Sequence, residues 1–183
     1  MSASEYKKHE ESGATVFQVT PAPQRKFWFA IIGGGLMFLL GLATFGSEHL
    51  LGLIMLGGGG AAFWWGWTHD LRPPAHRTPS TFRVTRESIE SGGQTFKKPD
   101  IHRLIVKNGI THNVVGIPGV LVPVSTPTAI GAAHRMEVSL TSNALEVESG
   151  GRGHVLAGGM DETTAFGLLT DVSRVLGLNV SSG

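Results

Sequence analysis

The chain contains no cysteine. This removes disulfides, thiolate nucleophiles and thiolate metal sites at once. Charge is scarce too: Asp, Glu, Lys and Arg make up 16% of the residues, against about a quarter in an ordinary soluble domain. The formal net charge is only +1, so no long-range field points to nucleic acid as a partner. There is no Walker-type phosphate loop, no HExxH, no GxSxG and no carboxylate pair at catalytic spacing. No repeat of solenoid length is visible. His69, Asp70 and His76 lie close in sequence, but Pro73 and Pro74 between them prevent a shared helix face, so no metal is expected there. These absences lead to the expectation of a non-enzymatic chain with no cofactor and no identified small-molecule substrate.

Two long apolar runs are present, at residues 27–45 and 50–67, and neither holds an ionisable side chain. As helices at ~1.5 Å per residue each is about 27 to 29 Å long, close to the ~30 Å hydrocarbon core of a bilayer. Gly46-Ser47-Glu48-His49 between them has room only for a tight turn, so residues 27–67 read as a transmembrane helical hairpin. A cleaved signal peptide is the other reading of the first run. Against it stand the long preceding segment of mixed charge and the second apolar run that follows at once.

The flanks set an orientation. Lys7, Lys8, Arg25 and Lys26 precede the hairpin and Arg72, Arg77, Arg83 and Arg86 follow it, whereas the turn carries only Glu48 and His49. Cytoplasmic flanks collect Lys and Arg, so both termini are expected in the cytoplasm and the turn outside. Trp28, Trp64, Trp65 and Trp67 then fall at one interface level, where an indole ring suits the headgroup region.

Glycine is dense in the runs, within a total of 26. Ala30/Gly34, Gly57/Ala61 and Gly58/Ala62 have the spacing that lets helix backbones approach closely. Packing inside the hairpin uses such pairs; so does self-association or docking of another membrane subunit.

Residues 1–26 read as a polar cytoplasmic tail, although Val16-Phe17-Gln18-Val19 alternates as an edge strand does. Residues 68–79 read as a stiff linker around Pro73-Pro74. From residue 80 strands follow one another. Gly92-Gly93 signals a hairpin, residues 101–106 a strand, and Asn108-Gly109 a type I′ turn. Residues 135–141 alternate with Met136, Val138 and Leu140 on one face, and read as a further strand. Leu145 and Val147 alternate with Glu146 and Glu148, Gly150-Gly151 turns the chain, and His154 to Ala157 returns it, with His154 on the wet face. A helix closes the chain: Asp161 is its N-cap, Gly177 its C′ residue, and Ala165, Leu168, Leu169, Val172, Val175 and Leu176 form one apolar stripe.

Residues 110–133 carry no formal charge, and Pro118, Pro123 and Pro127 forbid a third membrane helix. Either the stretch holds a buried strand pair, or it is an exposed apolar contact in which Val120, Leu121, Val122 and Val124 meet a partner.

The run FRVTRESIESGGQTFKKPDIHRLIV, followed by further strands and one C-terminal helix, resembles bacterial PH-like (pleckstrin-homology-like) domains that follow a pair of membrane helices. The resemblance covers residues 80–178. It implies a fold of antiparallel strands, as a sheet or barrel closed by a helix, and a role in display and binding. Eukaryotic phosphoinositide binders of this fold use a basic cluster in the first strand loop; the corresponding turn here is Arg86-Glu87. The expected architecture is therefore a membrane-anchored α+β protein with a tail (1–26), hairpin (27–67, with spans 27–45 and 50–67), linker (68–79), PH-like cytoplasmic domain (80–178) and short end (179–183). With the bacterial source that the resemblance implies, the expected function is a multi-pass inner-membrane protein that serves as a protein–protein interaction scaffold in a larger membrane complex. The alternative is a glycine-rich component of a transport or secretion assembly that forms a homo-oligomeric ring.

Overall fold

In the computed structural model the described residues are 4–110 and 126–178. The chain divides into two compact units, one of residues 24–70 and one that joins residues 1–23 to residues 71–183. The smaller unit is a pair of helices, α1 (Trp28–Thr44) and α2 (His49–Thr68), joined by a short turn. Thr44 and Ser47 close that turn through their hydroxyls, on the carbonyls of Leu40 and Thr44. Among the described residues α2 is the one helix long and apolar enough to cross a bilayer; α1, at 17 residues, is a shorter apolar helix.

The larger unit is α+β. Strands β1 (Glu5–Glu11), β2 (Ala14–Thr20), β3 (Ser80–Val84), β4 (Ser88–Ser91) and β5 (Gln94–Lys97) form one antiparallel sheet in chain order. Strands β6 (Ile101–Asn108), β7 (Asn143–Ser149) and β8 (Arg152–Met160) form a second antiparallel sheet. Helix α3 (Thr126–Ser139) lies between β6 and β7, and α4 (Glu162–Leu176) follows β8. Among the described residues the sheets do not close into a barrel.

Alternation builds the core. Phe17 and Val19, Phe82 and Val84, Ile89, and Leu145 and Val147 send every second side chain inward, where they meet Leu168, Val172 and Leu176 of α4. Phe17 and Phe82, directly opposite in register, stack at 5.3 Å between ring centroids. The glycine turns form as their sequences require: Gly92 and Gly93 have φ of 56° and 80°, and Gly150 and Gly151 of 59° and 74°. Asp161 caps α4 by accepting from the Thr164 N–H at 2.9 Å, and Gly177 ends it at φ 63°.

Several elements differ from the sequence reading. Within residues 1–26, read as a tail, lie β1 and β2, and β2 pairs with β3 over Thr15–Val19 opposite Val84–Ser80. The cause is burial: Phe17 and Val19 are at most 1% exposed, so the short alternating run supplies an interior strand of the sheet, between β1 and β3. The N-terminal strand is also tied to α4 at two points. Ser4 Oγ donates to Asp161 Oδ2 and accepts from the Asp161 N–H, while Tyr6 OH and Lys8 Nζ both donate to Asp171 Oδ2, at 3.0 and 2.7 Å. Burial alone pushes both carboxyls up, but these bonds outweigh it and hold Asp161 and Asp171 below the usual carboxylate range. The Tyr6 phenol is pushed up, first by burial and then by its bond to Asp171.

Residues read as a strand at 135–141 instead end helix α3. Ala132, Ala133, Arg135, Met136 and Glu137 favour a helix, and alternate residues there do not share a buried face: Val138 is 1% exposed while Met136 is 70% exposed. Asn108-Gly109 makes no type I′ turn; Gly109 has no positive φ and donates its N–H to Ser142 O. The linker is not a free spacer. Pro74–His76 forms a 3-10 turn whose His76 is buried, and Arg72, also buried, donates to Ala22 O at 2.6 Å. His154 lies against the Phe96 ring at 4.9 Å, on the core side of β8.

Candidate functional site

The helical pair sorts its residues by size. Its seam is glycine. Gly34 and Gly41 on α1 and Gly52, Gly59 and Gly66 on α2 are its buried glycines, each set seven residues apart. A Cβ at Gly34 would stand 2.5 Å from Phe63 N, and one at Gly59 2.5 Å from Phe38 N. At Gly41 it would stand 2.7 Å from Leu56 N. The backbones touch because no side chain separates them, the contact that small residues allow between membrane helices. The large side chains consequently point outward: Trp28, Phe29, Ile32, Leu36, Leu39, Leu50, Leu53, Ile54 and Trp64 are all more than half exposed. A water-soluble helix pair buries such residues and exposes polar ones; this pair is inverted.

The residues expected to pack helices separate into two groups. Gly34 is in the seam, Ala30 touches the position of Gly66 at 2.9 Å, and the Ala62 backbone stands 3.1 Å from where a Gly34 Cβ would be. Gly58 faces the Met37 side chain, Gly57 has nothing within 4 Å, and Ala61 is exposed. The sequence reading missed Gly41, Gly52, Gly59 and Gly66 as packing positions. The signal for them was the seven-residue interval, which keeps one face in register along a supercoiled pair where a four-residue interval marks only one contact.

The two ends of the pair differ chemically. At the open end Lys26 Nζ sits 3.0 Å from the Trp67 ring centroid, a cation–π contact, and His69 stacks on Trp65 at 4.4 Å. Gln24 Nε2 donates to His69 O at 2.8 Å, capping the last turn of α2. The turn end has no Lys or Arg; there His49 Nδ1 lies 2.6 Å from Phe45 O, and the only carboxylate is Glu48.

The candidate partner-contact residues Val120, Leu121, Val122 and Val124 lie outside the described residues. Among the described residues no three His, Asp or Glu side chains group as a metal site would require. No protein-family model, curated protein or solved structure matches this chain.

Proposed function

We propose that the helical pair crosses a bacterial inner membrane twice and displays the α+β unit in the cytoplasm, where it serves as a non-enzymatic interaction scaffold. The observation that carries this reading is the pairing of β2 with β3. The hairpin is inserted between two hydrogen-bonded neighbours of one sheet, so the chain leaves the α+β unit at Pro23 and re-enters it at Leu71. A single crossing would put β2 and β3 on opposite sides of the membrane and tear the sheet. An even number of crossings keeps it whole, and α1 and α2 supply two. The outward apolar side chains and the Trp and Lys cluster at the open end support the same assignment, with that end at the cytoplasmic interface. The PH-like reading of this unit rests on the run of short antiparallel strands closed by one C-terminal helix.

Because the chain has no cysteine, single cysteines report topology without background. In intact spheroplasts a membrane-impermeant maleimide is expected to label Ser47→Cys, while Ser12→Cys and Ser91→Cys react only after permeabilisation. Labelling of Ser12→Cys from outside, or protection of Ser47→Cys until lysis, refutes the double crossing.

The homo-oligomeric ring of a transport or secretion assembly is the second reading. It is favoured by one feature: Gly57 and Ala61 form a small-residue surface on α2 turned away from α1.

A further inference from the structure

A cavity of about 450 Å³ lies in the α+β unit, against the three-stranded sheet. Leu145 and Val147 point into the core, so Ala144 and Glu146 of β7 face the other way and form the cavity floor with Val155 of β8. Lys107, Asn108 and Gly109 close one side, and Pro73, Ala75 and His76, from the stretch through which the chain re-enters the unit, close the other. The size is that of a small-molecule site, and the make-up matches: apolar walls with a few convergent polar groups.

Those polar groups are held by backbone. Lys107 Nζ and the Glu146 carboxylate pair at 2.8 Å across the sheet, with the Glu146 side chain only 16% exposed. A Cβ at Gly153 would fall 2.8 Å from Glu146 Oε2, so the carboxylate lies directly over the bare Gly153 backbone. The His76 ring is gripped likewise: a Cβ at Gly109 would stand 2.6 Å from it and one at Gly158 2.5 Å. Asn108 is oriented by its amide, which donates to Ser139 O and Asn143 Oδ1. The described lining therefore presents one ammonium and one carboxylate, adjacent and pre-positioned, beside an apolar wall.

We propose that this cavity binds a small zwitterion of amino-acid or dipeptide size. The ligand's carboxylate meets Lys107, its ammonium meets Glu146, and its apolar side chain lies against Val155, Pro73 and Ala75. A bare anion or cation satisfies only one member of the pair and leaves the other short of a partner, so the site discriminates against both. The site goes beyond anchoring and scaffolding, and stands whichever way the hairpin is oriented.

The test is thermal melting of the full chain in detergent micelles with free leucine, glutamine or glycyl-leucine, and with isobutyrate or butylamine as single-charge controls. Binding raises the melting temperature by mass action, by about 5 °C or more near 100 times the dissociation constant. The expected result is a rise with at least one zwitterion and none with either control. The rise is expected to vanish in Lys107→Met and Glu146→Gln, each compared with its own unliganded melt. Val155→Trp, which fills the cavity from the strand opposite Glu146 and leaves both charged residues in the chain, is expected to abolish it as well. No rise with any zwitterion, an equal rise with isobutyrate, or a rise that survives Val155→Trp overturns the proposal.

Discussion

Single side chains account for how the N-terminal strand is held. Lys8 and Arg174 flank Asp171 but are 53% and 70% exposed, so as surface pairs they contribute little. The half-buried Tyr6 bond to the same carboxylate is worth more; Tyr6→Phe is expected to cost about 1 kcal/mol, read as a shift in denaturant midpoint. Asp161 and Asp171 are both held below their ordinary values, so their contribution is present above the unfolded carboxylate pKa of about 4. It is lost as pH falls through the folded values. Tyr6 is shifted the other way, and its contribution is present below about pH 10 and lost as pH rises through its folded value. Melts between pH 3 and 7 should therefore show an acid limb that is shallower in Asp171→Asn. An identical limb in that variant assigns the acid sensitivity to other carboxylates.

In the helices, position along the seam decides what a substitution does. Gly59→Leu drives a side chain into the Phe38 backbone and is expected to separate α1 from α2 at a cost of about 3 kcal/mol or more, seen as loss of a cooperative helix melt in detergent. Gly57→Leu, two residues away, meets open space and should leave that melt unchanged. The same variant separates the two functional readings. If the particle mass in detergent drops on Gly57→Leu, the outward surface of α2 holds a ring together; an unchanged mass supports the scaffold. Elements with strong local signals behaved as their sequences demand: the glycine turns, and α4 with its cap, stripe and terminal glycine. Helix α3 did not, because alternation over Met136, Val138 and Leu140 spans too few residues to distinguish a strand from one helical turn and its exit.

The α+β unit is assembled from two stretches of chain separated by 47 residues of hairpin. Removing residues 1–23 should therefore unfold it: β1 and β2, two of the five strands of their sheet, would be lost, and with β2 Phe17 and Val19 from the core. A chain of residues 71–183 alone is expected to give no cooperative melt. One in which residues 1–23 are joined to Leu71 by a short glycine-serine linker is expected to melt cooperatively without detergent. Cooperative folding of residues 71–183 by themselves would mean that the N-terminal strands are an accessory layer.

Sequence by itself determined the two apolar helices, their turn, the Gly-Gly hairpins and the capped final helix, because each depends on chemistry within a few neighbouring residues: hydropathy, φ preference or an N-cap oxygen. Tertiary structure alone decided where the N-terminal strands belong, which glycines form the helix seam, that Pro74–His76 docks instead of spacing, and that Lys107, Glu146 and His76 meet around one cavity. Those depend on partners brought together from far along the chain. A run such as Val16-Phe17-Gln18-Val19 is compatible with tail or strand until Phe82 stands opposite Phe17, and burial of that pair settles it.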